Sequence, residues 1–217
     1  MPNYCFTQLE VTGPEKDIKR FCDGLNNNIT EGHLSILSTY HPRPVDLDVT
    51  CYFIVPEGID DRAAIEATYA SNIEKYGHST WYDWNIANYG SKWADSFSSY
   101  EINPHHLSGL SYVRLEFQTA WSPITEGIRF VSSVFPTLVF LMSYEEESDD
   151  FVGAEVHKAG ETLFYESVVP PETERKDGED EDEWYDRAND AKLEALDTLT
   201  QLANVIAARA IDTHALM

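Results

Sequence analysis

The sequence predicts an α+β fold: an antiparallel sheet with two packed helices, a large helical insertion, an added β-hairpin and a C-terminal helix. Three observations predict it. Short segments that alternate apolar and polar residues are interleaved with two stretches of clean helical periodicity. A knot of aromatic residues at 81–93 holds three of the five tryptophans. After Glu145 the composition turns acidic, and a long apolar-periodic stretch closes the chain.

Residues 4–11 read as the first strand. Thr12-Gly13-Pro14 then leads into a helix over 15–25, with Ile18, Phe21, Cys22 and Leu25 at i, i+3, i+4 and i+7. Asn26-Asn27-Asn28 ends it. Residues 29–46 are expected to be irregular, because His41-Pro42-Arg43-Pro44 blocks regular structure. A strand is expected over 47–55, with Val49, Cys51, Phe53 and Val55 on one face. A helix comes next over 60–76, with Ile65, Tyr69, Ile73 and Tyr76 inward and Gly77 as its stop.

At 81–93 the reading is a short helix, a glycine stop and a strand start. Thr80 is placed as N-cap, with Asp83 three residues on. Tyr82, Ile86 and Tyr89 form one stripe, and Trp81 and Trp84 a second, so both sides should be covered. Gly90 suits the left-handed position after the helix. A strand over 92–98 would put Trp93 and Phe97 on one face, and 99–110 would be a loop carrying His105 and His106.

Residues 112–119 alternate as a strand through Val113, Leu115 and Phe117. Ser122 and Pro123 are placed as N-cap and first residue of a helix lined by Ile124, Ile128, Val131 and Phe135. The apolar run 137–144 suits a strand buried on both faces. Residues 151–169 read as a hairpin turning at 158–161. This gives a domain over 1–169 with an insertion at 26–90, an acidic linker over 170–185 and a C-terminal helix over 186–217. That helix should dock its narrow apolar face on the domain or on a second copy as a homodimer.

With 26–90 set aside, the order is strand, helix, strand, strand, helix, strand, the ferredoxin-like split β-α-β arrangement. Four segments then carry a more specific likeness. They are Met1-Pro2-Asn3-Tyr4-Cys5 with Val11-Thr12-Gly13-Pro14; Trp81-Tyr82-Asp83-Trp84 with Tyr89-Gly90-Ser91-Lys92-Trp93; Phe117-Gln118-Thr119-Ala120-Trp121-Ser122-Pro123; and Phe151-Val152-Gly153-Ala154-Glu155. In order and spacing the chain resembles the YubB ferredoxin-like family of phage and plasmid proteins over about residues 1–165. The resemblance implies a mobile-element origin and a bacterial host cytoplasm. It supplies no catalytic residues and no iron–sulfur cluster.

The charge narrows the function. The net charge is −23 on 217 residues. That argues against binding phosphate backbones or anionic membranes, and favours cationic partners. No stretch is long and apolar enough for a membrane helix, and the N-terminus lacks signal-peptide character. Three scattered cysteines (Cys5, Cys22, Cys51) indicate neither a zinc site nor a disulfide framework. Cys5 and Cys22 are expected to be small buried hydrophobes. No serine-nucleophile elbow, phosphate loop or metal-binding histidine pair occurs, so no catalytic residue, metal or cofactor is assigned.

The acidic segment stands out. Between Glu145 and Asp186 lie 17 acids and 3 bases, a net −14 over 42 residues. Glu145, Glu146, Glu147, Asp149, Asp150, Glu179, Asp180, Glu181, Asp182 and Glu183 are the candidate partner-binding residues. Carboxylates on a rigid face imitate phosphates and occupy a basic groove, with fast, salt-sensitive association. The expected function is that of a non-enzymatic phage or plasmid protein that binds and inhibits a host protein with a basic surface, as a DNA mimic in anti-defence. Two alternatives stand beside it. One is a nucleic-acid-binding module using the sheet. The other is a small-molecule-binding protein or enzyme with an aromatic pocket of Trp81, Trp84, Trp93 and Trp121.

Overall fold

The computed structural model describes residues 3–28, 34–48, 62–97, 105–107, 110–148, 151–171 and 174–215. The chain runs β1 (Tyr4–Pro14), α1 (Glu15–Asn27), α2 (Ile36–Tyr40), a 3₁₀ turn (Val45–Leu47), α3 (Arg62–Tyr76) and α4 (Trp81–Tyr89). It continues through β2 (Ser96–Phe97), β3 (His105–Leu107), β4 (Leu110–Ala120), α5 (Thr125–Val134), β5 (Val139–Glu146), β6 (Val152–Lys158), β7 (Glu161–Val168) and α6 (Glu181–Ala215). The sheet order is β2-β4-β1-β5-β6-β7, with β3 also on β4, and every pairing is antiparallel. This is the expected ferredoxin-like α+β fold. β1 lies between β4 and β5, and the β6–β7 hairpin widens the sheet beyond β5. Ala159 and Gly160 at its turn take φ of 53° and 84°, the left-handed pair that a two-residue hairpin turn demands.

The two faces of the sheet bury different things. Cys5, Leu9 and Val11 of β1, Val113, Leu115 and Phe117 of β4, and Phe140, Met142 and Tyr144 of β5 meet Ile18, Phe21, Cys22 and Leu25 of α1. Ile124, Ile128, Val131 and Phe135 of the α5 segment complete that core. Both helical stripes are therefore buried as their spacing predicts. Burying each such side chain contributes about 1.5–3 kcal/mol. Burial also pushes the Cys5 thiol up to about 12 and the Cys22 thiol to about 11. On the other face α6 lays Leu199, Ala203, Ala207 and Ala210 against Val139, Leu141, Val152, Ala154 and Val156. β5 and β6 are thus covered on both sides, while among the described residues no helix covers the outer side of β1 and β4.

Several expectations are corrected. Residues 29–46 hold α2, whose first amides are capped from far along the chain. Asp95, 3 % exposed, accepts the Ile36 amide at 2.6 Å, the Leu37 amide at 3.1 Å and the Ser35 hydroxyl at 3.0 Å. The strand expected over 92–98 is described only at Ser96–Phe97, where it pairs with β4, and Trp93 is 40 % exposed rather than on a buried face. Leu47 sits in the 3₁₀ turn, and residues 49–55 of the expected strand lie outside the described residues. On α3 the buried residue is Asn72, which donates to the carbonyls of Asp46 and Ser79, while Ile73 is 53 % exposed. α3 leans on the 45–48 turn through polar contacts, and Tyr76 and Lys75 both reach the Asp46 carboxylate.

Gly90 takes the left-handed position after α4 (φ 86°), and Thr80 is the N-cap residue of that helix as expected, but the Thr80 side chain accepts no capping hydrogen bond. Ser122 does not start α5. Its hydroxyl donates to the Gly90 carbonyl at 2.7 Å, and the helix begins at Thr125. His105 and His106 belong to β3 rather than a loop.

Candidate functional site

The acidic residues divide into two groups once the fold is in place. Those of the 145–150 run are engaged within the chain. Glu145 on β5 pairs with Lys192 of α6 at 3.1 Å. Glu146 is buried and accepts the Ser148 amide at 2.7 Å. Glu147 accepts the Tyr4 amide at 2.9 Å. Asp149 and Asp150 lie outside the described residues. Of the described members of the expected 145–150 face, Glu146 is buried, Glu145 is half-buried beside Lys192, and Glu147 stays exposed while it holds the Tyr4 amide.

Around the start of α6 the same division holds. Glu179 accepts two Arg187 nitrogens, at 2.9 and 2.8 Å, and the Lys176 amide. The Arg187 guanidinium holds the Glu179 carboxyl down at about 2. Asp180 accepts the Glu183 amide at 2.8 Å, as an N-cap does. The helix starts at Glu181, five residues before the expected boundary, because this cap and the acids of the first turn suit the positive helix end. Glu181, Asp182 and Glu183 are thus held on a helix, and all three are exposed.

Further along α6 lie acids that the sequence reading missed. Asp186, Asp190, Glu194 and Asp197 continue the exposure, and Asp182, Asp186, Asp190 and Glu194 recur at i+4. Each step rises about 6 Å along the axis. Such like-charged neighbours destabilise a helix by about 0.2–0.5 kcal/mol per pair. None of these four takes part in an ion pair among the described residues. The two bases in the same span are both paired with acids that lie outside it. Arg187 is held by Glu179, and Lys192, its side chain 15 % exposed, is held by Glu145. The signal was in the sequence, but as a helical period rather than as a charge count.

The tryptophans do not form one pocket. Trp84 is in the core, edge-on to Tyr89 at 5.0 Å. Trp81 and Trp93 line a depression of about 340 Å³ with Arg43, Asp48 and Asn85. Arg43 is pinned there by Asp48 at 2.9 Å and Asn85 at 3.1 Å. Trp121, 43 % exposed and at φ 69°, faces the Lys92 ammonium at 4.7 Å, which also lies 5.0 Å from the Trp93 ring.

A buried polar network was also missed. Glu155 and His157 sit two residues apart on β6, both with fully buried side chains, and join at 2.8 Å through Oε2 and Nε2. Thr125 at the start of α5 donates to Glu155 Oε1 at 2.8 Å, Tyr144 is hydrogen-bonded to the same carboxylate, and His157 Nδ1 meets Thr162 Oγ1 at 3.1 Å. With both side chains sealed from solvent, the network ties α5 to the sheet and offers no substrate a way in. Among the described residues no group of three histidine, cysteine or acidic side chains is placed to hold a metal ion. None of the described helices is long and apolar enough to cross a membrane.

Residues 88–188 match the family model described as the ferredoxin-like domain in Api92-like protein. The chain is also similar to the crystal structure of a protein api92 from Yersinia pseudotuberculosis, at 13 % identity and a TM-score of 0.39, covering 81 % of this chain and 100 % of that one. No curated protein matches the chain. The match over 88–188 supports a ferredoxin-like family for this part of the chain.

Proposed function

We propose that the chain binds a basic surface on a host protein and blocks it, presenting the outer side of α6 in place of a nucleic-acid backbone. One observation carries this reading: acids stand exposed along α6 while both bases of the same span are held in ion pairs with Glu179 and Glu145. Seven exposed carboxylates lie between Glu181 and Asp197. At about 1.5 Å rise per residue they average one per about 4 Å of axis. Phosphates of one DNA strand recur every 3.4 Å or so. The helical scaffold fixes these charges, as a mimic requires. The YubB resemblance supplies the setting, a phage or plasmid protein acting in a bacterial cytoplasm, with defence nucleases as the natural class of target.

The open sheet face favours this reading over nucleic-acid binding. Its guanidinium, Arg114, is tied to Glu10 at 2.8 Å, and Glu116 stands beside it. The test is a tagged pull-down from bacterial lysate at about 0.1 and 0.5 M salt, which cuts the screening length to roughly half. The triple variant Asp186→Asn, Asp190→Asn, Glu194→Gln is run in parallel. It relieves like-charge repulsion, so folding is not at stake. One stoichiometric basic partner, lost at high salt, lost with the variant and competed by duplex DNA, is the expected result. A partner retained by the variant, or none at either salt, overturns the reading.

A further inference from the structure

α6 covers β5 and β6 but stops short of β1 and β4. At that step lies a groove of about 480 Å³. Glu116 and Gln118 of β4, Gln8 of β1 and Glu145 of β5 supply its polar surface, and Phe6 and Leu196 its apolar walls. None of its ten lining residues is basic, and two are carboxylates. Phe6, 39 % exposed, forms part of its apolar wall beside these polar groups. Glu116 meets its neighbour Gln8 only at 3.4 Å through Oε1. Glu145 Oε2 is cut off from solvent and accepts no hydrogen bond, although the Lys192 ammonium stands 3.1 Å away.

We infer that this groove is a binding site for a small organic cation, a guanidinium or primary amine on an apolar stem. Each part of such a ligand has a counterpart. The Glu116 carboxylate offers two oxygens to a guanidinium fork. Phe6 supplies an aromatic ring to the lining, and an aromatic ring face attracts a cation. Leu196 takes the methylene stem, in the way lysine and arginine stems lie along apolar surface. The amide oxygens of Gln8 and Gln118 accept further N–H groups. The volume falls within the range of ordinary ligand clefts, and exceeds what one ammonium alone needs. Lys192 already shows the chemistry at one end, since the chain's own ammonium is what Glu145 holds.

The cation has two sources, a free amine or an arginine or lysine side chain of a protein partner. Neither depends on the α6 stripe, and one experiment separates the two. Amide chemical shifts of the full chain are followed by NMR during titration with agmatine, with n-butanol as the neutral control and an arginine-containing hexapeptide as the second probe. Saturable shifts confined to 6–8, 116–118 and 143–145 are expected with agmatine. Glu116→Gln should weaken binding tenfold or more and Phe6→Ala two- to fivefold. Both side chains are exposed, so both variants should keep the parent melting temperature. Neutralising Asp186, Asp190 and Glu194 should leave groove affinity unchanged. A peptide that binds tighter than agmatine, with the same variant losses, identifies a partner's side chain as the source; the reverse order identifies a free amine. Equal shifts with n-butanol, shifts along α6 that survive Glu116→Gln, or no saturation by about 10 mM overturn the inference.

Discussion

The Glu155–His157 pair sets a quantitative test of what the buried network does. The Glu155 carboxylate is bonded to His157, Thr125 and Tyr144 and is buried from bulk solvent. Replacing His157 by leucine removes one donor and leaves the acid sealed under α5. Breaking a buried pair from one side costs about 3–5 kcal/mol. For a chain of this size 1 kcal/mol moves Tm by about 2–4 °C, so the single variant should melt about 6–20 °C lower. Glu155→Met alone should be of similar magnitude, because it strands the imidazole and two hydroxyls. The double variant Glu155→Met, His157→Leu removes both ionisable groups and should recover at least about 2 kcal/mol of the summed loss, the coupling expected of residues in contact. The assay is urea unfolding at constant pH, read by tryptophan fluorescence and far-UV dichroism together. Single losses under about 1 kcal/mol, or a double variant additive within about 0.5 kcal/mol, would show that the pair does not hold α5 to the sheet.

Two further predictions come from local geometry. A Cβ at Gly153 would lie 2.5 Å from two ring carbons and the hydroxyl oxygen of the buried Tyr144, so Gly153→Ala should destabilise by about 1–3 kcal/mol in the same assay; an unchanged midpoint would mean the ring has room to move. Glu179 is held at about 2 against an ordinary 4.5, so its depressed folded value favours the docked helix start above pH 4.5 and loses that contribution as pH falls toward 2. Carboxyl-carbon NMR should show Glu179 titrating near 2, and shifting to the ordinary carboxylate range in Arg187→Gln; titration near 4.5 in the parent chain would contradict the ion pair.

The amphipathic elements were legible because one physical rule decided them. Ile18, Phe21, Cys22 and Leu25, and Ile128 with Val131, announce a buried face by spacing alone. The apolar run of β5 read as doubly covered, and Val139 and Leu141 meet α6 while Phe140 and Met142 meet the other core. What failed were positions where a distant partner overrides the local pattern. Asp95 caps α2, about 60 residues away in sequence, a role that no local pattern around it announces. Ser122, a good local N-cap, is taken by the Gly90 carbonyl. Lone histidine and glutamate at 157 and 155 reveal themselves as a pair only when a strand puts i and i+2 on one face under a helix.

The acidic residues show most sharply why composition is a weaker guide than position. Glu145 and Glu179 sit in the densest acidic stretches, yet their main effect is on cations. They hold Lys192 and Arg187 in ion pairs and thereby leave the exposed acids of α6 without compensation from either base. Neutralising them should therefore weaken a basic partner's binding without their touching it, by freeing two cations onto the stripe. The same helix sets the edge of the groove. Ala203, Ala207 and Ala210 let α6 lie close over β5 and β6, so it ends in a step beside β1 instead of spreading across the sheet. Ala203→Leu would lift α6, and it should disturb the groove at Leu196 before it disturbs the stripe, whose charges follow the helix itself and not its distance from the sheet.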